Sequence, residues 1–183
     1  MTDNKLLRPA IFADRDGTLV EEVNYLSRIE DLRLLPNTYK ALHDLKAAGY
    51  AIIVITNQSG IGKGYYTTDD MNAIHRQMQF ELDGVIDGFY HCPHRPDAGC
   101  ECRKPKVKLL LDAQRELELD LPQSWMIGDK DIDIQTGANL NLKTILVSTG
   151  YGSEHKDSLK VQPTFFASEI GDAADIILGR SQS

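Results

Sequence analysis

Residues 9–20 read PAIFADRDGTLV. A short apolar run, Pro9 to Ala13, leads into two carboxylates, Asp14 and Asp16, and then into Gly17 and Thr18. The run predicts a buried strand that ends at Asp14, and the Asp-Gly pair predicts a turn. Alone, Asp-x-Asp-Gly-Thr reads equally well as an ordinary turn or as a site. Its meaning depends on what other strands bring to the same edge.

Outward from this segment, strand patterns alternate with helix patterns. Asn37 to Ala48 suits a helix with Leu42 and Leu45 turned inward and Gly49 as its stop. Ala51 to Ile55 (AIIVI) has no polar alternation, as expected of a strand covered on both faces. Thr67 or Thr68 can cap a helix whose Met71, Ile74, Met78 and Leu82 share one face, a core stripe. Gly88 to His91 reads as a third strand, Pro105 as the opening of a helix carrying Val107, Leu110, Leu111 and Leu117, and Trp125 to Ile127 and Thr144 to Val147 as further strands. A short strand near Phe165 and a helix over Ile170 to Leu178 complete the pattern. The expected fold is α/β: a Rossmann-like parallel sheet with helices on both faces, in one domain spanning 1–183.

The chain has a formal net charge of −7, a surface that repels nucleic acid unless positive charge is gathered locally. Its longest apolar run is far short of a membrane span, and no signal peptide is visible. A cytoplasmic location and no nucleic-acid or membrane partner are expected. A monomer is expected as well.

In parallel sheets, ligands bind beyond the carboxyl ends of the strands. Asp14 and Asp16 lie at one such end, Thr56 and Asn57 at a second, and Gly128-Asp129 at a third, with Asp133 four residues on. Carboxylates converging on one edge repel each other unless a cation is present, and hard oxygen donors suit Mg²⁺, here with Asp14, Asp16 and Asp129 as ligands. A carboxylate can then attack phosphorus. Asp14 would be the nucleophile, and Asp16 would protonate the leaving oxygen and later activate water. Thr56 and Lys104 would stabilise the transferring group, whose charge spreads over its equatorial oxygens. Asp131 and Asp133 are expected as helix-start charges and supports. His43 and His75 are expected at the surface or the core edge.

All three cysteines lie in one loop, HCPHRPDAGCECRKP, residues 91–105. Cys92, His94, Cys100 and Cys102 supply a Cys₃His set, the closed tetrahedral sphere of structural Zn²⁺. Ligation would fold a loop, 92–102, that has little apolar content of its own, and would position Arg103 and Lys104. A disulfide is disfavoured by the odd count and by a reducing compartment, and a redox switch is a minor alternative. His91, which alternates with these ligands, is a candidate substitute ligand.

Together, Asp14-Arg15-Asp16-Gly17-Thr18, Thr56, Lys104 and Gly128-Asp129-x-x-x-Asp133 resemble the motifs of the haloacid dehalogenase superfamily, in order and spacing. The resemblance runs over roughly residues 10–150 and implies Mg²⁺-dependent hydrolysis through a phospho-aspartate. About 41 residues separate Asp16 from Asn57, too few for a large cap domain. Small loops, 20–35 and the zinc clip, should cover the site. The zinc loop narrows the resemblance to two groups, heptose-1,7-bisphosphate 7-phosphatases and histidinol-phosphate phosphatases. FADRDGTLVEEVNYL and TNQSGIGKG are similar to the first, CECRKPKVKL and the short spacer between ligand pairs to the second. With the N-terminal half weighted more, the resemblance implies a phosphorylated sugar as substrate. It also implies substrate contacts at Glu22, Val23, Asn24 and Tyr25, at Thr56, Asn57, Gln58 and Ser59, and at Arg103, Lys104 and Lys130.

Overall fold

A computed structural model describes residues 7–180. Its elements in chain order are β1 (Arg8–Ala13), α1 (Thr38–Ala47), β2 (Ala51–Asn57), α2 (Ser59–Gly62), α3 (Thr68–Glu81), β3 (Gly88–Cys92), α4 (Lys108–Leu117), β4 (Leu119–Gly128), α5 (Asp131–Ala138), β5 (Lys143–Val147), α6 (Gly152–His155), β6 (Phe165–Ala167) and α7 (Ile170–Ile177). The six strands form one sheet in the order β3-β2-β1-β4-β5-β6, and every pairing is parallel.

Burial explains why β1 and β2 lack polar alternation. Ile11, Ala13, Ile52 and Val54 face one layer, where Leu42 and Leu45 of α1, Ile74 and Met78 of α3 and Ile170 of α7 close over them. Ala10, Phe12, Ile53 and Ile55 face the other, against Leu109, Leu110 and Ala113 of α4 and Met126 of β4. Both faces are dry, so both must be apolar.

The chain leaves β1 toward β2 on one side, and β4 joins β1 on the other. The strand order therefore reverses direction at β1/β4, and the crevice at a parallel sheet's carboxyl edge opens at such a reversal. Asp14 N–H extends the ladder by donating to Ile127 O at 2.9 Å, which brings Asp14 and Asp129 to one place.

The excursion after β1 returns on itself. Glu21 N donates to Arg33 O (2.9 Å) and Leu35 N to Leu19 O (3.0 Å), giving a small flap in place of a cap domain. Thr67 caps α3 with a reciprocal Thr67–Asp70 capping box.

Two element boundaries differ from expectation. The helix assigned to Pro105 begins at Lys108, because residues 103–106 form a turn closed by Lys106 N donating to Arg103 O at 2.9 Å. The strand expected from Trp125 begins at Leu119, and its register against β1 shifts between Pro9 and Ile11. At the shift the Ser124 hydroxyl accepts from Ala10 N at 2.8 Å, so a side chain stands in for a missing carbonyl. Pro122 and Gln123 hide that strand from any periodicity.

Candidate functional site

The turn after β1 is wound around one carbonyl. Thr18, Leu19 and Val20 N–H groups all approach Arg15 O (3.0–3.4 Å), and Gly17, at φ +84°, donates to Val20 O. Gly17 and Gly150 lie together against Asp129: a Cβ on either would lie 2.4 or 2.3 Å from Asp129 Oδ2. Only glycine permits this approach.

Oxygens of Asp14, Asp129 and Asp133, all buried, lie within 4.8 Å of one another. Lys104 Nζ, with its side chain 1% exposed, stands 2.7 Å from both Asp14 and Asp133. It also donates to Ile55 O at 2.8 Å. Lys130 Nζ reaches Glu22 (3.1 Å), Asp129 (3.4 Å) and Asp14 (4.0 Å).

Burial opposes charge on Asp14, yet Lys104 and Lys130 outweigh it and hold the carboxyl below the ordinary range. Burial likewise opposes charge on Lys104, and Asp133 and Asp14 outweigh it, so the ammonium persists. Asp129 goes the other way. Burial, then the charge of Asp14, pushes it up to about 7. Four carboxylates here (Asp14, Asp129, Asp133, Glu22) face two ammonium groups. A hard divalent cation beside Asp14 and Asp129 would remove that imbalance, so the donor set fits Mg²⁺.

Asp16 is not in the carboxylate cluster. Its side chain turns to Arg15, whose Nε and Nη2 fork onto it at 2.9–3.2 Å, and to Gln58 Nε2 at 2.9 Å. The Asp16 carboxylate, expected with Asp14 and Asp129 around Mg²⁺, instead stands at the cavity wall outside the cluster of Asp14, Asp129 and Asp133. Asp133, expected only as a support, takes the third place; it accepts from Lys130 N (3.1 Å) and is ion-paired with Lys104.

A cavity of about 230 Å³ opens above these groups. Asp14, Asp16, Thr56 and Lys104 line it, as do Glu22 to Tyr25 from the flap, Asn57 to Ser59 from the end of β2, Arg103 and Lys130. Asn57 clamps the lysine's backbone reciprocally: Lys104 N donates to Asn57 Oδ1 (3.1 Å) and Asn57 Nδ2 to Lys104 O (3.3 Å). Thr56 Oγ1 accepts from Gln58 Nε2 at 2.8 Å. Arg103 Nη1 is buried without a partner among the described residues.

The cysteine loop leaves β3 at Cys92 and is tied to the segment after β2 by Gln58 N to Cys92 O and Gly62 N to Pro93 O, both 2.8 Å. Cys92 Sγ lies 3.5 Å from Cys100 Sγ and 3.6 Å from His94 Nδ1, and His94 Nδ1 lies 3.2 Å from Cys102 Sγ. With zinc–ligand bonds of about 2.0–2.3 Å, tetrahedral donors sit roughly 3.3–3.8 Å apart, so the four atoms fit one zinc ion. His91 projects from the opposite face of β3, with its ring 6.4 Å from that of His75, and takes no part.

Three polar residues carry more than the sequence suggested. His75 is buried beside Arg15 instead of lying at the core edge. His155 Nδ1 accepts from Asp131 N (3.2 Å) at the start of α5. Tyr66, which lines the cavity, donates to Gln58 Oε1. Only the pair Tyr65-Tyr66 after a glycine-rich turn could have signalled the last of these.

Comparison with known proteins agrees with this geometry. The HAD-hydrolase-like family model matches residues 101–173. The chain is 42% identical, over 78% of its length and 81% of the relative's, to a D-glycero-β-D-manno-heptose-1,7-bisphosphate 7-phosphatase of Photorhabdus laumondii. It is 37% identical to the protein of that name from Pasteurella multocida, over 94% of this chain and 98% of the relative. The crystal structure of a D,D-heptose 1,7-bisphosphate phosphatase from B. bronchiseptica, complexed with magnesium and phosphate, superposes with a TM-score of 0.88 at 30% identity, covering 94% of this chain and 99% of the other. The chain thus belongs to the haloacid dehalogenase-like hydrolases and, within them, to the heptose-1,7-bisphosphate 7-phosphatase family.

Proposed function

We propose that this protein removes the 7-phosphate of D-glycero-D-manno-heptose 1,7-bisphosphate through an aspartyl-phosphate on Asp14. The observation that carries the reading is the Asp14 carboxylate, buried at the floor of the cavity and kept ionised by Lys104 at 2.7 Å. An ionised, desolvated carboxylate facing a phosphate-sized space is a nucleophile. The names borne by relatives at 37–42% identity supply the substrate.

Asp14 and Asp129 would hold Mg²⁺, which when bound neutralises the phosphate dianion and draws off the charge developing on its oxygens. Lys104 keeps Asp14 Oδ1 occupied, so Oδ2 would be the oxygen that attacks phosphorus. The Thr56 hydroxyl would donate to an equatorial oxygen of the transferring group, and Lys104, whose three N–H groups are taken by Asp14, Asp133 and Ile55 O, would act through its charge. Asp16, at the mouth side of the same wall, gives a proton to the sugar oxygen as it leaves and then takes one from the water that cleaves the aspartyl-phosphate. The unpartnered Arg103 Nη1 is a donor for the second phosphate. The flap residues Glu22 to Tyr25, together with Asn57 to Ser59 and Lys130, surround the sugar.

The Cys₃His cluster holds structural Zn²⁺, since four protein donors leave no position for substrate. A reducing compartment such as the cytoplasm suits its three thiols. One domain acting as a monomer completes the proposal.

The test is kcat/KM with Mg²⁺ for the heptose bisphosphate beside histidinol phosphate, together with mass spectrometry of acid-quenched enzyme. Preference for the heptose by several orders of magnitude, with phosphate on Asp14, is the expected result. Preference for histidinol phosphate would replace the substrate and leave the chemistry standing. Phosphate on any other residue would overturn the mechanism.

A further inference from the structure

Arg15 carries a full charge into the interior, 0% exposed, between the nucleophile and the acid–base carboxylate. A buried guanidinium is tolerable only when its donors are matched. Nε and Nη2 are matched by Asp16. The remaining edge, Nη1, meets His75 Nε2 at 3.3 Å, across 60 residues of sequence. A guanidinium can only donate, so Nε2 must be the unprotonated nitrogen of a neutral ring. Burial, then the charge of Arg15 and then His91, pushes His75 down to about 3, so the ring stays neutral at working pH.

The imidazole is itself held. It stacks on Phe89 of β3, centroids 4.3 Å apart and planes 16° from parallel, and its backbone belongs to the capped helix α3. Asp16 has only one other side-chain partner among the described residues, Gln58 Nε2 at 2.9 Å. One rim of this carboxylate is thus set by an amide and the other by a guanidinium whose far edge rests on His75.

We propose that His75 is a positioning residue for the hydrolysis: by accepting from Arg15 Nη1 it locks the guanidinium at the angle that aims the Asp16 carboxylate at the leaving oxygen. The inference rests on the acid–base reading of Asp16 and assigns a role to a residue remote from substrate. Without the acceptor, Arg15 must find another partner for Nη1, and the fork on Asp16 turns with it. Displacement of this kind hits proton transfer hardest, because proton transfer depends on sub-ångström placement.

A leaving-group comparison separates this role from a merely structural one. An alkyl phosphate needs a proton on its departing oxygen, whereas p-nitrophenolate departs without one. We would measure kcat/KM on the metal-replete enzyme for a sugar phosphate and for p-nitrophenyl phosphate in wild type, His75→Leu, His75→Gln and Asp16→Asn. His75→Leu should lower the sugar-phosphate value about tenfold and the aryl value less than about twofold. His75→Gln, whose carbonyl can accept from Arg15, should recover most of the loss. Equal losses on both esters, or no loss on either, would overturn the role of His75. If Asp16→Asn separates the two esters while His75→Leu does not, the acid–base reading survives and the positioning role falls. If Asp16→Asn fails to separate them, both fall. A measurement on wild type stands apart from any folding defect of His75→Leu: ¹⁵N NMR at pH 7 should show His75 Nδ1 protonated and Nε2 bare, and a proton on Nε2 would refute the lock.

Discussion

A Cβ at position 150 would stand 2.3 Å from Asp129 Oδ2 and 2.6 Å from Gly17 Cα, on a backbone at φ +54°. Position 49 has the same left-handed backbone, φ +96°, with nothing within 4 Å. The two glycines therefore separate conformational strain from steric intrusion on the site. Gly49→Ala should destabilise by about 1 kcal/mol and leave kcat unchanged. Gly150→Ala should carry a similar strain and in addition displace Asp129, lowering activity at limiting Mg²⁺ by at least tenfold, the order expected when a reacting constellation shifts by about 1 Å. Thermal melts and Mg²⁺ titrations of turnover would distinguish them. Unchanged Mg²⁺ dependence in Gly150→Ala would mean that Asp129 can move without consequence.

Between elements, Asp87 is the knot that joins three of them ahead of β3. Its carboxylate accepts from Lys46 of α1 (2.6 Å) and from Ile52 N of β2 (2.8 Å), and pairs with Arg8 of β1 (2.9 Å). Burial raises its pKa, but the hydrogen bonds from Lys46, Ile52 N–H and Arg8 prevail and hold it below the ordinary value of 3.8. A carboxyl depressed on folding stabilises fully above its unfolded pKa and loses that contribution as pH falls through its folded one. Asp87→Asn should therefore lower stability by about 1–2 kcal/mol at pH 7. The gap from wild type should shrink once the pH drops below about 3.8. Urea unfolding at pH 7 and at pH 3 checks the sign, and a gap that widened in acid would contradict it. The sequence announced elements of this kind where a local signal exists, as in the Thr67–Asp70 capping box. It gave no signal for the first half of β4, which is held by the Ser124 hydroxyl and by pairing with a strand more than a hundred residues away.

For the whole molecule, the cysteine loop is the means by which one sheet edge receives the Lys104 ammonium. Cys102 is followed at once by Arg103 and Lys104, and Asn57 grips the Lys104 backbone from β2. Chelation, or Cys102→Ser, should lower the melting temperature and raise KM about tenfold, the scale of one displaced charge-assisted contact. The Lys104 ammonium keeps its partners in the core, so kcat should fall less than KM rises. Metal analysis should find about one zinc per chain, and a metal-free protein of equal stability and KM would refute the clip. By itself, the sequence determined the strand–helix alternation, the Cys₃His set, the carboxylates at the strand ends and the class of chemistry. These depend on local periodicity and on residue type at a strand's end, both written along the chain. The tertiary structure alone decided that Asp133 and not Asp16 joins Asp14 and Asp129, that Lys104 lies between two carboxylates, and that His75 meets Arg15. Those outcomes turn on which way a side chain points after β1 and β4 come together and α3 packs over them, and an angle set by through-space contact leaves no trace in spacing.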